Sequence, residues 1–270
     1  MQQPPKLTYV SSTDRLLKKA VINSIEHLTG RRKLEKVYAK VLDDVNNKIT
    51  FWQAALNALQ IKLDYDSARL AAIPQQGPII FIANHPFGVL DGLAICHLAA
   101  QTRYDFRILI NSALVREERL ANYMLPIDFN ETEEAIHTNI ESKRKALETL
   151  RQGGAIVIFP AGGIATAKKP FGKATDLEWK LFTAKLIHMT KATVVPIYFH
   201  GQNSHLFQLV SQFSLTLRLA LIIREVNKKV AETLHINIGE PLPYAQLAEI
   251  KGRQALMNHL RQVTYSLAKQ

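Results

Sequence analysis

The sequence predicts an α/β protein, with a mostly parallel mixed sheet flanked by helices and preceded by an N-terminal helical segment. From Ile61 onward, short apolar runs of strand-like composition alternate with segments of helical period, and this alternation favours parallel strands joined by helical crossovers. Hydrophobic residues make up 47% of the 270 residues, which is enough to fill the core of one large domain. We therefore expect an N-terminal helical segment, residues 1–60, and an α/β domain, residues 61–270, that together form one structural unit.

The first sixty residues carry two stretches of helical spacing. A first amphipathic helix is predicted to follow the capping residues Ser11–Thr13 and to end at Gly30. Its apolar stripe consists of Leu17, Val21, Ile25 and Leu28. After the basic cluster Arg31–Lys33, helical spacing runs from Leu34 to Leu59 without Gly or Pro, so an uninterrupted second helix is predicted there.

The remainder of the chain supplies the predicted sheet and its covering helices. The strand-like runs are Ile79–Ala83, Leu93–Ala100, Phe106–Ile110, Ala155–Phe159, Val194–Phe199 and His235–Ile238. Three helices are predicted between and after them, over Glu133–Arg151, Trp179–Lys191 and Tyr244–Ala268. The glycine pair Gly153-Gly154 is expected to close the first of these helices.

The charge balance and the apolar runs restrict the partners and the cellular location. Lys and Arg total 34 against 23 Asp and Glu, a formal charge of +11, so acidic partners such as nucleic acid, anionic lipid and acidic carrier proteins are favoured. No secretory signal is indicated, and the apolar runs are far shorter than a membrane span. A cytoplasmic protein that associates peripherally with the inner face of the membrane is therefore expected. The lone Cys96 lies in an apolar run and is predicted to be a buried structural thiol.

Three predicted strand ends carry residues suited to chemistry. They are Asn84-His85 with Asp91, Pro160–Gly163, and His200–Ser204, and active sites in open α/β sheets collect at the carboxyl ends of strands. An imidazole after a strand, with a carboxylate where the next helix begins, is a compact way to build a general base and its orienting partner. Each feature taken alone also has a structural interpretation, as a hydrogen-bonded histidine, a helix cap or a plain turn.

Taken together and in this order, the blocks resemble the lysophospholipid acyltransferase family, also known as the 1-acylglycerol-3-phosphate acyltransferase superfamily. The resemblance extends from about Gly77 to Pro243. The residues of Asn84–Gly92, together with those of His200–Ser204, are most similar to the bacterial hemolysin-like branch of this family. That branch includes acyltransferases that complete ornithine-lipid synthesis.

The blocks depart from the usual family pattern in two respects. Five residues separate His85 from Asp91, where the family usually has four, so a tighter or bulged turn is expected. In the third block Ala161 replaces the usual Glu and Gly163-Ile164 replace Thr-Arg, while the second block, at Ile127–Asn130, lacks its Arg. Two groups associated with an acceptor phosphate are thus missing, and a different lyso-lipid acceptor is expected. Candidate replacement cations, which could equally be ordinary solvated charges, are Arg116, Lys168, Lys169 and Lys173.

The resemblance implies a reaction and assigns roles to residues. A fatty acyl group would pass from acyl-CoA or acyl carrier protein to the hydroxyl of a lyso-lipid, with His85 as general base and Asp91 holding its tautomer. Backbone N–H groups of Gly162-Gly163, or of the helix start after Gly88, would stabilise the oxyanion. The expected substrate-binding residues are Asn84, Phe87, Gly88, Arg116, Phe159, Pro160, Ala161, Gly162 and Gly163. Neither a cofactor nor a metal is implied.

An anionic membrane surface is a further expected partner, because the acceptor and the acyl chain are lipids. The helix of residues 12–28 and the adjoining basic cluster suit such a surface, and the alternative is that this helix simply packs on the catalytic domain.

Other functions remain as alternatives. A nucleic-acid-binding protein is disfavoured because the basic residues show no reading motif or interleaved aromatics. A serine hydrolase lacks a Gly-x-Ser-x-Gly elbow around Ser204, and the scattered histidines offer no metal motif. A non-catalytic or hydrolytic lipid-binding relative stays open, because altered motif blocks can accompany lost activity.

Overall fold

The computed structural model describes residues 16–45, 50–115, 120–169, 171–213 and 215–269. The main sheet consists of β1 (Lys62–Asp64), β2 (Ile79–Ala83), β3 (Phe106–Asn111), β4 (Met124–Ile127), β5 (Ala155–Ile158), β8 (Thr193–Phe199) and β9 (Thr233–Ile238). Two short strands, β6 (Thr166–Ala167) and β7 (Ala174–Thr175), form a separate antiparallel hairpin.

The helices cover both faces of the sheet. In chain order they are α1 (Leu16–Leu28), α2 (Arg31–Val45), α3 (Phe51–Ala58), α4 (Ser67–Ala71), α5 (Val89–Thr102), α6 (Glu133–Arg151), α7 (Phe182–Thr190), α8 (His205–Ser211), α9 (Leu215–Lys228), α10 (Tyr244–Leu247) and α11 (Arg253–Ser266). Short 3-10 turns follow β3 at Ser112–Leu114 and α11 at Leu267–Lys269. Among the described residues, no helix combines the length and the apolar character needed to cross a lipid bilayer.

The sheet has the order β1-β9-β8-β2-β5-β3-β4. Strands β8, β2, β5, β3 and β4 are parallel to one another, and β9 pairs antiparallel to β8. The predicted mostly parallel mixed sheet flanked by helices is thereby confirmed. Because β2 lies between β8 and β5, the carboxyl ends of these three strands are neighbours at one edge of the sheet.

Strand β2 is buried on both of its faces. Phe81 and its neighbours two residues away pack into the core shared with α3 and α5, whereas Ile80 and Ile82 pack into the opposite core with α6, α7 and α11. All five residues of β2 are at most 1% exposed. A central parallel strand with both faces covered reads as a continuous apolar run, which is why its bounds are predictable from the sequence.

The prediction of a strand-like run at Leu93–Ala100 is wrong, because these residues lie within α5. Residues on both sides of this helix are buried, so its sequence lacks the polar face that reveals a helical period. Cys96 lies on the same helix and is buried as predicted, and burial raises the pKa of its thiol well above the usual value.

The predicted uninterrupted helix over Leu34–Leu59 is also wrong. Helix α2 ends at Val45, and α3 begins after Thr50, whose backbone is extended and whose side chain accepts a hydrogen bond from the N–H of Gln53. A threonine that caps a helix in this way interrupts the preceding helical path even where no Gly or Pro is present.

Two later helices differ from the prediction, one in where it begins and one in being divided. Helix α7 begins at Phe182, because Trp179 is buried in the preceding loop and donates a hydrogen bond to Asp176. The predicted helix over Tyr244–Ala268 is divided into α10 and α11, with Gly252 at φ 95° before α11. The predicted helix over Glu133–Arg151 is confirmed to the residue.

Helix α1 packs against α9, and Ile22 on α1 is buried. On the same helix Glu26 is fully buried and pairs with Arg31 at 3.2 Å. The predicted caps Ser11–Thr13, and the side chains of Leu17 and Val21, lie outside the described residues. This packing agrees with the expectation that the helix packs on the rest of the domain. Leu28, on the same helix, is 84% exposed.

The amino-terminal edge of the sheet is tied together by Arg103. Its guanidinium pairs with the Asp105 carboxylate at 2.7 Å, donates to the carbonyl of Gly77 at 2.8 Å and also donates to the carbonyl of Gly153. The side chain is only 4% exposed. One cation thus links the loops that precede β2, β3 and β5.

We expect Arg103→Ala to lower the free energy of unfolding by about 2–4 kcal/mol, because two loop carbonyls lose a charged donor. Urea denaturation followed by circular dichroism measures this loss. The control is Arg144→Ala, which removes an exposed pair with Glu141 on α6 and should cost at most about 1 kcal/mol. Equal losses for the two variants would contradict the role of Arg103.

Candidate active site

A histidine at the end of a strand and an aspartate at the start of a helix meet at the carboxyl edge of the sheet. His85 follows β2 by two residues, and Asp91 lies in the first turn of α5. Nδ1 of His85 is 3.0 Å from Oδ2 of Asp91. The structure therefore brings together the two residues predicted to be catalytic.

The Asp91 carboxylate determines which nitrogen of His85 is free. Its Oδ2 also accepts hydrogen bonds from the backbone N–H groups of Phe87 at 2.8 Å and Gly88 at 2.9 Å. When the Asp91 carboxylate is ionised it only accepts, so a neutral His85 ring beside it carries its proton on Nδ1 and keeps a lone pair on Nε2. Complete burial raises the pKa of Asp91, while the hydrogen bonds from His85, Phe87 and Gly88 oppose that rise.

Gly88 makes the turn between the two residues possible. Its backbone lies at φ 85° and ψ −111°, a region that L-residues with a side chain rarely adopt. A Cβ atom at this position would lie 2.6 Å from Cδ1 of Ile164. The five-residue spacing between His85 and Asp91 is thus accommodated by a glycine conformation, as the predicted tight turn requires.

Phe159 fixes one face of the histidine ring. The ring centroids of His85 and Phe159 are 3.9 Å apart at an interplanar angle of 24°. The His85 side chain is 17% exposed, so the imidazole is largely enclosed without being sealed. The hydrogen bond at Nδ1 leaves Nε2 as the ring nitrogen that makes no hydrogen bond within the described part of the chain.

Asp176 is a buried residue of the site that sequence reasoning missed. Its Oδ1 accepts the backbone N–H of His85 at 3.1 Å, and its Oδ2 accepts the indole N–H of Trp179 at 2.9 Å. The backbone N–H of Asp176 donates to the hydroxyl of Tyr265 at 2.8 Å. Burial raises the pKa of Asp176 against the opposing effect of these bonds. The sequence offers one cue, since Asp176 is the first acidic residue after a long acid-free stretch.

The structure gives Asn84 and Phe87 buried positions behind the histidine. The Asn84 amide donates to the carbonyl of Phe199 at 2.9 Å and accepts from the N–H of Phe199 at 2.7 Å. Through these two hydrogen bonds, the Asn84 side chain extends the pairing of β2 with β8 by one residue. Phe87 is only 3% exposed. In this structure both residues support the loop instead of lining open space.

The predicted segment Pro160–Gly163 forms a turn beside Phe159. The N–H of Gly162 donates to the carbonyl of Phe159 at 2.9 Å, and Gly162 has φ 69°. Pro160 and Ala161 are buried. Within the described part of the chain, no hydrogen bond uses the N–H of Gly163, so that donor is available. The predicted substrate-binding residue Arg116 lies outside the described residues.

The predicted segment His200–Ser204 stabilises the fold at the end of β8. Both the N–H and the hydroxyl of Ser204 donate to the buried Glu225 carboxylate, at 2.8 and 2.7 Å. The Ser204 hydroxyl also caps α8 by accepting from Phe207. This serine is therefore not activated by a histidine, in agreement with the missing nucleophile elbow.

Arg218 is a second site residue that the sequence did not indicate. Its guanidinium donates to the carbonyl of Ile164 at 2.7 Å, and burial lowers its pKa. No carboxylate among the described residues pairs with it. Because the Ile164 side chain lies beside Gly88, the hydrogen bond from Arg218 helps to fix the loop next to His85.

The arrangement suits proton removal from a neutral nucleophile. An imidazole whose Nε2 makes no hydrogen bond within the described residues, a buried carboxylate behind it and the unused backbone N–H of Gly163 are parts that a general-base site needs.

Comparisons with known proteins identify the family and the fold. A family model described as "Acyltransferase" matches residues 44–270. A lyso-glycine lipid O-acyltransferase from Phocaeicola vulgatus is 28% identical over 260 residues, covering 92% of this chain and 87% of that protein. A second protein of that name, from Bacteroides thetaiotaomicron, is 25% identical over 231 residues, covering 81% and 80%.

A similar fold is also known from a crystal structure. The 1-acyl-sn-glycerophosphate (LPA) acyltransferase PlsC from Thermotoga maritima aligns with a TM-score of 0.53 at 16% identity, covering 94% of this chain and 88% of that chain. Since the family model spans most of the sequence, the chain belongs to the acyltransferase family, and the resemblance of its motif blocks is confirmed.

Proposed function

We propose that this chain transfers a fatty acyl group from a thioester, acyl-CoA or acyl carrier protein, to the hydroxyl of a lyso-lipid. The observation that carries the proposal is the contact of His85 with the buried Asp91, which leaves Nε2 of the histidine free. The names of the two bacterial relatives support an O-acyl transfer to a lyso-lipid.

The reaction needs no covalent enzyme intermediate, because the thioester is already activated. Nε2 of His85 takes the proton of the acceptor hydroxyl as its oxygen attacks the thioester carbonyl. The tetrahedral intermediate then expels the thiolate, which receives that proton from the imidazolium. Asp91 stabilises the imidazolium while the charge is present.

Backbone donors are assigned to the developing oxyanion. The N–H of Gly163 is the first candidate, because the N–H of Gly162 is used within its own turn. The N–H groups of Phe87 and Gly88 are held by Asp91, so a contribution from α5 would come from later in its first turn.

We propose a lyso-aminolipid as the acceptor in place of a glycerol phosphate. The second and third motif blocks lack the residues associated with an acceptor phosphate, and the two bacterial relatives are named for a glycine lipid. We also propose that the chain acts at the cytoplasmic face of the membrane, because acyl-CoA and acyl carrier protein are found there.

Replacing His85 by alanine should abolish transfer. We expect kcat/KM to fall by at least about 10³-fold in His85→Ala, because the general base is removed, while circular dichroism shows that the fold is retained. The matched control is His259→Ala, an exposed histidine on α11, which should keep wild-type turnover. Near-wild-type transfer by the His85 variant would refute the mechanism. Release of free fatty acid by the wild-type chain, in place of acylated lipid, would indicate a hydrolase.

Two substitutions of Asp91 separate its electrostatic role from its structural role. Asp91→Asn should reduce kcat by about 10²- to 10⁴-fold, because the amide cannot stabilise the imidazolium. Asp91→Ala should in addition lower the free energy of unfolding by about 1–3 kcal/mol, because the buried N–H groups of Phe87 and Gly88 lose their acceptor. Activity assays and thermal unfolding of both variants test this, and a fully active Asp91→Asn would contradict it.

Acceptor preference is tested with purified protein and one acyl donor. We expect kcat/KM for a lyso-glycine lipid to exceed that for lysophosphatidic acid by at least about tenfold, since no guanidinium is positioned by the motif blocks to bind a phosphate in bidentate fashion. Mass spectrometry of the acylated products measures both rates. A preference for lysophosphatidic acid would overturn the assignment while leaving the general-base mechanism intact.

A further inference from the structure

We infer that the β6–β7 hairpin and helix α8 form a docking surface for an anionic lipid bilayer beside the active site. We name it the hairpin–α8 surface. Its apolar members are Phe171, Leu206, Leu209 and Phe213, and its basic members are Lys168, Lys169 and Lys173. The inference deepens the proposed function and rests on it for the presence of lipid substrates.

The apolar side chains of this surface are exposed to solvent. Phe171 is 80% and Phe213 is 79% exposed, while Leu206 and Leu209 are 44% and 42% exposed. Spacings of three and four residues place Leu206, Leu209 and Phe213 along one side of α8 and its continuation. Large exposed apolar groups in one place mark an interaction site.

Phe171 joins the hairpin to this helix face. Its ring centroid is 5.4 Å from that of His205, in the first turn of α8. The residue has φ 61°, a left-handed conformation that aromatic residues seldom adopt. Strained residues of this kind cluster at functional sites, and here the strain accompanies an aromatic ring held in solvent at the tip of a hairpin.

The charge of the surface selects an anionic partner. The three hairpin lysines are exposed. Residues 164–175 and 200–223, which supply the hairpin, α8 and most of α9, contain no Asp or Glu. Lysines around apolar side chains match a bilayer, because the lysines meet lipid phosphates while the apolar side chains enter the interface.

The same segment is fastened to the catalytic loop. The N–H of Ala165, one residue before β6, donates to the carbonyl of His85 at 2.7 Å. The N–H of Ala167 donates to Oε1 of Gln208 on α8 at 2.9 Å, and Arg218 holds the carbonyl of Ile164. A bilayer on the hairpin–α8 surface would therefore lie next to His85, where a lipid acceptor is needed.

The first test removes the apolar contacts. In the full chain, Phe171→Asn combined with Phe213→Gln should reduce partitioning to vesicles of phosphatidylcholine and phosphatidylglycerol by at least about tenfold, because two aromatic side chains no longer enter the interface. Asn is chosen because it tolerates the left-handed backbone. The matched control is Tyr104→Asn, an 85% exposed aromatic at the amino-terminal edge of the sheet, which should bind as the wild type does.

The second test removes the charges. Replacing Lys168, Lys169 and Lys173 by Gln should weaken binding to the same vesicles by about fivefold per lysine, and high salt should abolish the difference. The control set, Lys62, Lys185 and Lys251, is exposed elsewhere on the fold and should have little effect. Vesicles of phosphatidylcholine alone should not distinguish the two sets.

The outcome is separable from the proposed reaction, because vesicle binding needs no catalysis. The variant that combines Phe171→Asn with Phe213→Gln should retain transfer between dissolved short-chain substrates and lose transfer to acceptors embedded in vesicles. Unchanged vesicle binding by both variant sets, with wild-type melting temperatures, would overturn the inference whether or not the chain transfers acyl groups. Variants that change only the oligomeric state in sedimentation velocity would also overturn it, in favour of a second copy on this surface.

Discussion

The hydrogen bond between Nδ1 of His85 and the buried Asp91 is the interaction on which the site depends. It fixes the tautomer of the imidazole, and the same carboxylate oxygen holds the N–H groups of Phe87 and Gly88. One acceptor therefore shapes the turn, begins α5 and orients the base. Placing a carboxylate in this enclosed position is costly, as its raised pKa shows, and three donors offset that cost.

The sheet positions this interaction by bringing three strand ends to one edge. Strand β2 delivers His85, β5 delivers the Phe159 ring, and β8 is joined to β2 by the Asn84 amide. The opposite edge is held by Arg103. The anchoring guanidinium of Arg103 and the imidazole of His85 therefore lie at opposite edges of the sheet.

Much of this arrangement could be predicted from the sequence, and the failures have physical causes. The bounds of β2 and α6 follow from a continuous apolar run and from a charged amphipathic period, while the pairing of His85 with Asp91 follows from motif spacing. The period of α5 is hidden because most of its circumference is buried. Asp176 and Arg218 lie far from His85 in sequence and join the site only through tertiary packing, so the spacing of the motif blocks could not indicate them.

The stack of Phe159 on His85 has an electrostatic consequence for turnover. An aromatic face carries negative charge density from its quadrupole, so it attracts a cation more strongly than a neutral ring. At 3.9 Å between centroids, the phenyl group favours His85 once that residue has accepted a proton. In the proposed mechanism, this uncharged ring would help Asp91 to stabilise the imidazolium while the tetrahedral species exists, without adding a further ion to the site.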